Sequence, residues 1–293
     1  MRKEDNILVT GGLGFIGSNL VDALIEQGYA NITVVDNLSS DSSDITYQKG
    51  EVTYFIDDVC TVDLTKLPNK PAVIFHLAAD ARIQPSFKHP YETLHNNCIG
   101  TTSVCELARK TGAKVVYAGS SSFYAGPKLN PYAFSKWMSE ETVLMYNTVY
   151  NIKYNIARFF NVYGDRHPKT GAHATVIGVF EECYLQQTEL PVTGNGVQRR
   201  DFTHIDDIVS GLIALANTSC AGIYNLGTGI NYSIVEVAKM FSNKITYISK
   251  RPGEAQNTLA DISDTEKDLG WVSKVSLKEY IENFKSNNLI NQQ

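Results

Sequence analysis

A chain of 293 residues with 43% hydrophobic and 19% charged residues has the composition of an ordinary globular protein and can bury a sizeable core, which excludes disordered and fibrous classes. A formal net charge of −5 gives no electrostatic reason to expect nucleic acid or an anionic membrane surface as a partner. With no apolar run of membrane-span length, no signal-peptide core after "MRKED", five scattered cysteines and six histidines without HxH or HExxH spacing, the expectation is a cytoplasmic protein with reduced thiols and no metal site.

Taken in chain order, the first 160 residues alternate strand-like and helix-like segments. "NILVTG", "NITVVDN", "EVTYFIDD", "AVIFHLAA", "KVVYAGSS" and "YNIARFFN" are short and apolar, which predicts strands buried on both faces. Helical patterns span about 15–27, 90–111 and 131–150. Such alternation predicts an α/β fold with a doubly wound parallel sheet of Rossmann type. After Asn161 the rhythm breaks, with Gly, Pro and Asn around one helix near 175–187. "DFTHIDDIVSGLIALAN" and "GIYNLGTG" read as a return to the sheet, and helices near 233–242, 263–269 and 276–284 follow. The expected division is a sheet domain of 1–160 plus 201–229 and a smaller, discontinuous C-terminal substrate domain of 161–200 plus 230–293.

"VTGGLGFIGSNL" lies between the first strand and the first helix. It holds Gly12-x-Gly14-x-x-Gly17 and also Gly11-x-x-Gly14-x-x-Gly17. Glycines there let the backbone turn tightly and approach a pyrophosphate, which then sits on the helix N-terminus. Asp36 ends the next strand about 20 residues on, where a carboxylate takes the ribose 2′-hydroxyl. "NLSSDSSD" after it carries no Arg or Lys for a 2′-phosphate, so the cofactor is expected to be NAD rather than NADP.

"GSSSFYAGPKLNPYAFSK" is the second informative stretch. Ser120 emerges at the carboxyl end of a buried strand, the edge at which open α/β sheets bind ligands. Asn130 reads as an N-cap and Pro131 as the first helical residue, so Tyr132 and Lys136 share a helix face one turn apart. For a phenol to act as a base near neutrality its pKa must fall from about 10 to about 7, or ~4 kcal/mol. An ammonium roughly 5–6 Å away at an effective dielectric of ~20 supplies roughly 3 kcal/mol, and the helix N-terminus and a cationic nicotinamide add to it. Ser120 would hydrogen-bond the same substrate oxygen.

Together these motifs resemble the extended short-chain dehydrogenase/reductase family, and within it the NAD-dependent sugar-nucleotide epimerases and dehydratases, most of all UDP-hexose 4-epimerases. The resemblance runs from about Asn6 to "LGW" at 269–271. It implies NAD contacts from Gly11, Gly14, Phe15, Ile16, Gly17, Asp36 and Asn37, from Asp58 and Val59 in "DDV", and from Leu77, Ala78 and Ala79 in "HLAA". It implies the same for Asn97, Tyr132, Lys136 and Phe160. Ser120, Tyr132 and Lys136 take the catalytic positions. Ser121, Ser122 and Asn161 fall by the substrate, and Arg200, Arg251 and Glu254 form a clamp for its nucleotide diphosphate, where the arginine fork suits phosphate oxygens. Thr258 holds the place of a gatekeeper facing the sugar's 2-position, and its small size leaves room for an acetamido group. The resemblance also implies a homodimer packed through helices 90–111 and 131–150, with Leu94, Cys98, Leu107, Met138 and Tyr146 as outward apolar residues. Two departures are a loop between serines and tyrosine about half the usual length, and Ala125 in place of a glycine.

Members of the family are thought to begin alike, with oxidation at C4 of the sugar. The resemblance assigns an Asp and a Glu to the dehydratases where this chain has Ser121 and Ser122, and hydroxyls are poor general acids and bases for loss of water. A decarboxylase Glu is absent, and the Cys and His of the fucose-synthase type are replaced by Ser122 and Thr175. Epimerisation at C4 of a nucleotide sugar, UDP-linked by resemblance, remains. The alternatives are another NAD-dependent sugar-nucleotide reaction, such as a dehydratase or reductase, or a non-catalytic NAD-binding regulator.

Overall fold

The computed structural model describes residues 1–290. In chain order it runs β1 (Ile7–Thr10), α1 (Phe15–Glu26), β2 (Ile32–Asp36), β3 (Thr53–Ile56), β4 (Val73–His76), α2 (Ile83–Lys88), α3 (Pro90–Thr111), β5 (Lys114–Ser120), α4 (Ser122–Ala125), α5 (Pro131–Tyr150) and β6 (Lys153–Phe159). Then follow β7 (Val162–Tyr163), α6 (Val176–Leu185), β8 (Leu190–Thr193), β9 (Arg199–Asp201), β10 (Thr203–His204), α7 (Ile205–Asn217) and β11 (Gly222–Leu226). The chain ends with β12 (Asn231–Ser233), α8 (Ile234–Phe241), β13 (Ile245–Ile248), α9 (Ser263–Leu269) and α10 (Leu277–Ile290).

Seven strands form a parallel sheet in the order β11-β6-β5-β4-β1-β2-β3. The order reverses between β1 and β4, and a crevice opens there outside the carboxyl ends of the strands. Alternate residues of each strand feed opposite faces: Ile7 and Val9 pack with Leu20 and Leu24 of α1 and Leu212 and Leu215 of α7. Leu8 packs on the other side with Val104 of α3 and Val143 of α5. The expectation of burial on both faces fails at β3. It is the edge strand, and its end residue Ile56 is 49% exposed.

A third apolar cluster gathers Ile177, Phe180, Leu190, Val192, Phe241 and Ile281 around the parallel pair β8–β13. Helix starts follow local chemistry. The Asn130 side chain caps α5 by accepting from the Ala133 amide at 2.7 Å, with Pro131 in the first turn, and Ser233 and Glu236 form a reciprocal capping box on α8. Among the outward residues expected on α3 and α5, Leu107 and Tyr146 instead turn into the sheet core. Tyr91, Ile99, Met138, Met145, Val149 and Tyr150 are the large apolar residues exposed on those helices. No described helix is long and apolar enough to cross a membrane.

Candidate active site

A continuous cleft of about 1110 Å³ runs across the carboxyl edge of the sheet. One arm is built by the β1–α1 loop and the ends of β2 and β4. Gly11 has φ +73°, and a Cβ on it would lie 2.7 Å from the Ala78 amide nitrogen; a Cβ on Gly17 would strike the Gly11 carbonyl. Glycine is therefore what lets the loop fold under α1 and beside "HLAA". Helix α1 begins at Gly14 with no side-chain cap, so its first amides face the cleft. Asp36 is buried, and its carboxylate accepts from the Leu13 amide at 2.9 Å and the Leu38 amide at 2.8 Å. It thus ties the glycine loop to the end of β2 and still has lone pairs for a hydroxyl.

Asn37 Nδ2 donates to Asp58 Oδ2 at 3.1 Å, and the Cys60 amide donates to Asp58 Oδ1 at 2.7 Å. Burial pushes the Asp58 carboxyl up, but these hydrogen bonds outweigh it and leave its pKa lowered. Ser39, Ser40, Ser42 and Ser43 line the cleft beyond Asp36, with no cation among them. Uncapped helix amides, a carboxylate at the end of β2 and a cation-free rim fit an NAD dinucleotide.

The centre of the cleft joins β5 and α5. Ser120 ends β5 in register with Phe159 of β6, and its Oγ accepts from the Ser122 amide at 3.2 Å. Tyr132 and Lys136 project from the first turns of α5. Lys136 is buried, and its Nζ donates to the Ala118 carbonyl at 2.8 Å and lies 4.9 Å from the Tyr117 ring centroid. Burial pulls its pKa down to about 8, with Glu140 acting in the opposite sense. Burial raises Tyr132 above an ordinary phenol, and the Ser120 hydroxyl and the Arg82 guanidinium pull it back only partly. This reverses the direction expected from the sequence, because desolvation outweighs the nearby positive charge. Behind these groups Glu140 pairs with Arg158 at 2.6 Å in full burial.

The other arm is walled by α6, β8, β9 and the segment 251–258. Arg200 Nη1 donates to the Arg199 carbonyl at 2.9 Å, and its Nη2 lies 3.7 Å from Glu254 Oε2. Burial lowers the Arg200 pKa against the pull of Glu254. Arg251 is exposed at the rim. Asn161 sits at φ +27°, a backbone region asparagine tolerates better than most residues, and turns the chain out of the sheet after β6. Its Nδ2 donates to the Asp201 carbonyl at 2.9 Å and to Thr258 Oγ1 at 3.4 Å. Thr258 is buried at the wall, its amide paired with the Arg199 carbonyl.

The cleft thus gathers Gly11, Gly14, Phe15, Ile16, Gly17, Asp36, Asn37, Asp58, Val59, Leu77, Ala78 and Ala79 along one arm. Ser120, Ser121, Ser122, Tyr132 and Lys136 lie at the centre, and Asn161, Arg200, Arg251, Glu254 and Thr258 along the other. Asn97 and Phe160 are not on its surface. The Asn97 side chain holds the Asp80 amide at 2.7 Å and Ser135 Oγ at 2.8 Å, while Phe160 is fully buried and stacks on Tyr124. Sequence reasoning missed Arg82 and helix α2, which bring a cation into the centre.

The sequence model of the NAD dependent epimerase/dehydratase family matches residues 7–227. The chain belongs to that family. Its cofactor is NAD. Among relatives of this family member, the UDP-glucose 4-epimerase of Bacillus subtilis is 31% identical, aligned over 93% of this chain and 94% of its own. UDP-glucuronic acid decarboxylase 1 of Xenopus tropicalis is 30% identical over 95% of this chain and 70% of its own. Among solved structures, UDP-glucose 4-epimerase from Thermotoga maritima with UDP-glucose superposes with a TM-score of 0.89 at 29% identity, covering 96% of this chain and 99% of that one.

Proposed function

We propose that this enzyme epimerises a UDP-linked sugar at C4 through a transient 4-keto sugar, with Tyr132 as the base. The observation that carries the reading is the convergence of Ser120, Tyr132 and Lys136 where the dinucleotide arm meets the Arg200 arm. Bound NAD would supply the two-electron acceptor and a positively charged ring. Tyr132 then takes the C4-hydroxyl proton and returns it, Ser120 holds the same oxygen, and Lys136 orients the cofactor side of the site. Arg200 and Arg251 take phosphate oxygens and Glu254 a ribose hydroxyl, so the nucleotide stays held while the sugar turns over. Asn97 acts one step back, by fixing the Asp80 backbone.

Relatives with epimerase and decarboxylase names share this scaffold, so the reaction is argued from the centre of the cleft. Ser121 and Ser122 offer only hydroxyls where elimination or decarboxylation needs a carboxyl group. The same reading includes a cytoplasmic homodimer joined through the exposed apolar residues of α3 and α5.

The test is to incubate the purified protein with UDP-, dTDP- and GDP-sugars and resolve the products by NMR. Interconversion of C4 epimers of a UDP-sugar without net NADH is expected. Loss of water or carbon dioxide, or stoichiometric NADH, refutes the epimerase reading.

A further inference from the structure

Arg82 is a charged group at the centre of the cleft to which the roles above give no task. It is the residue preceding α2 and lines the cleft. Its Nε is fully buried and has no hydrogen-bond partner among the described residues. A buried N–H left without an acceptor is costly, so this side chain is suited to a negative charge that develops beside it. Among the described residues, the group whose negative charge, once formed, favours the charged guanidinium is Tyr132, which lines the same cleft.

The fold fixes the two together. The Tyr132 amide donates to Ser86 Oγ at 3.1 Å, and that hydroxyl donates to the Ile83 carbonyl at 2.7 Å. Gln84 Nε2 donates to the Pro252 carbonyl at 3.0 Å. Helix α2 is thereby pinned between the start of α5 and the 252–253 turn, with Arg82 at its head. The other groups around Tyr132 are accounted for. From its own helix come Lys136, bonded to the Ala118 carbonyl, and Glu140, paired with Arg158. From β5 come Ser120 and the neutral Tyr117; after β4 comes Asp80, which accepts from Asn96.

We propose that Arg82 is a positioning residue that eases ionisation of Tyr132, a second cation of the proton-transfer site beside Lys136. This rests on Tyr132 being the base. Ionisation breaks the phenolic O–H bond and releases the proton to solvent; the guanidinium stabilises the oxygen that remains, which then accepts the C4-hydroxyl proton.

The experiment is an ultraviolet titration of the NAD-loaded protein, read as wild type minus Tyr132→Phe, which isolates the Tyr132 phenolate. It is repeated with Arg82→Gln, Arg82→Lys and Arg82→Met in place of wild type, each against its own Tyr132→Phe double variant. We expect the midpoint to rise by about one pH unit or more in Arg82→Gln and Arg82→Met and by less in Arg82→Lys. Thermal stability should not fall in the uncharged variants, whereas a merely structural arginine would lower it. No sugar is needed, so the result stands even if no nucleotide sugar is turned over, and failure here is distinct from failure of the epimerase reading. Where turnover is found, the acid limb of the kcat profile should move by the same amount, about tenfold in rate for each pH unit. Coincident midpoints in wild type and the uncharged variants overturn the proposal. So does an unmoved acid limb with a raised KM confined to carboxylate-bearing nucleotide sugars, which would give the guanidinium to a substrate anion. Arg82→Met keeps the test decisive if Arg82→Gln does not fold.

Discussion

Burial of Lys136 makes a measurable claim about stability. The ordinary amine value is 10.5, and desolvation brings it to about 8 in the folded protein despite the opposing pull of Glu140. Between those values the unfolded chain binds the proton and the native chain does not, so stability rises with pH. Well below 8 the native state carries the full penalty of a buried ammonium. The drop from 10.5 to about 8 corresponds to about 3 kcal/mol of penalty near pH 7. By pH 9.5 the amine is neutral in the native state and still charged in the unfolded chain, and the remaining penalty is about 1.4 kcal/mol. Wild type should therefore gain about 2 kcal/mol relative to Lys136→Met between pH 7 and 9.5. Urea unfolding of the NAD-stripped proteins at several pH values measures it. Subtracting the two curves cancels the other groups that titrate in this range, such as Lys114, whose value burial also brings to about 8. Parallel stability curves would refute the argument and show that Lys136 is not desolvated as its burial implies.

Tyr132→Phe should retain NAD, measured in the supernatant after denaturation, and lose turnover by about 10² or more, as for removal of a positioned base. Light scattering at micromolar concentration should give a dimer, and Met145→Glu with Val149→Glu should shift it to monomer, since those side chains are 45% and 60% exposed on α5. Thr258→Tyr should lower the kcat/KM ratio for UDP-GlcNAc over UDP-Glc by about tenfold or more, a change typical of a filled pocket; an unchanged ratio removes Thr258 as a gate.

Local signals were read directly from the chain. The glycine loop and Asp36 are linked by short-range geometry, and α5 starts where Asn130 and Pro131 announce it. What the chain did not reveal depends on tertiary placement. β3 has the letters of a core strand, but the strand order puts it at the edge. α2 has only six residues, a proline within it and no side-chain cap, so it gives no periodic signal and Arg82 went unremarked. Asn97 and Phe160 lie next to the site in sequence pattern, yet their side chains turn inward, to Asp80 and to Tyr124. The two- and three-residue strands β7, β9, β10 and β12 exist through pairings with distant segments and carry no pattern of their own.

The direction of the Tyr132 pKa follows from the same distinction. Sequence spacing establishes that a lysine sits one turn from the tyrosine, but burial acts on both groups and drives both toward neutrality. A positive charge added beside them helps Tyr132 ionise and makes the ammonium of Lys136 harder to keep. Glu140 offsets this second effect. It can reach under the end of β5 because residue 119 is glycine: a Cβ there would come within 2.7 Å of Glu140 Oε1. Arg158 in turn grips Glu140 through Nε and Nη2 while stacking 3.5 Å over the Phe123 ring of α4. The short segment after the serine run therefore has a role besides bordering the sugar pocket. Through Phe123 and Arg158 it supports the carboxylate that most favours a charged Lys136, ahead of Asp80, while cations gather around the tyrosine.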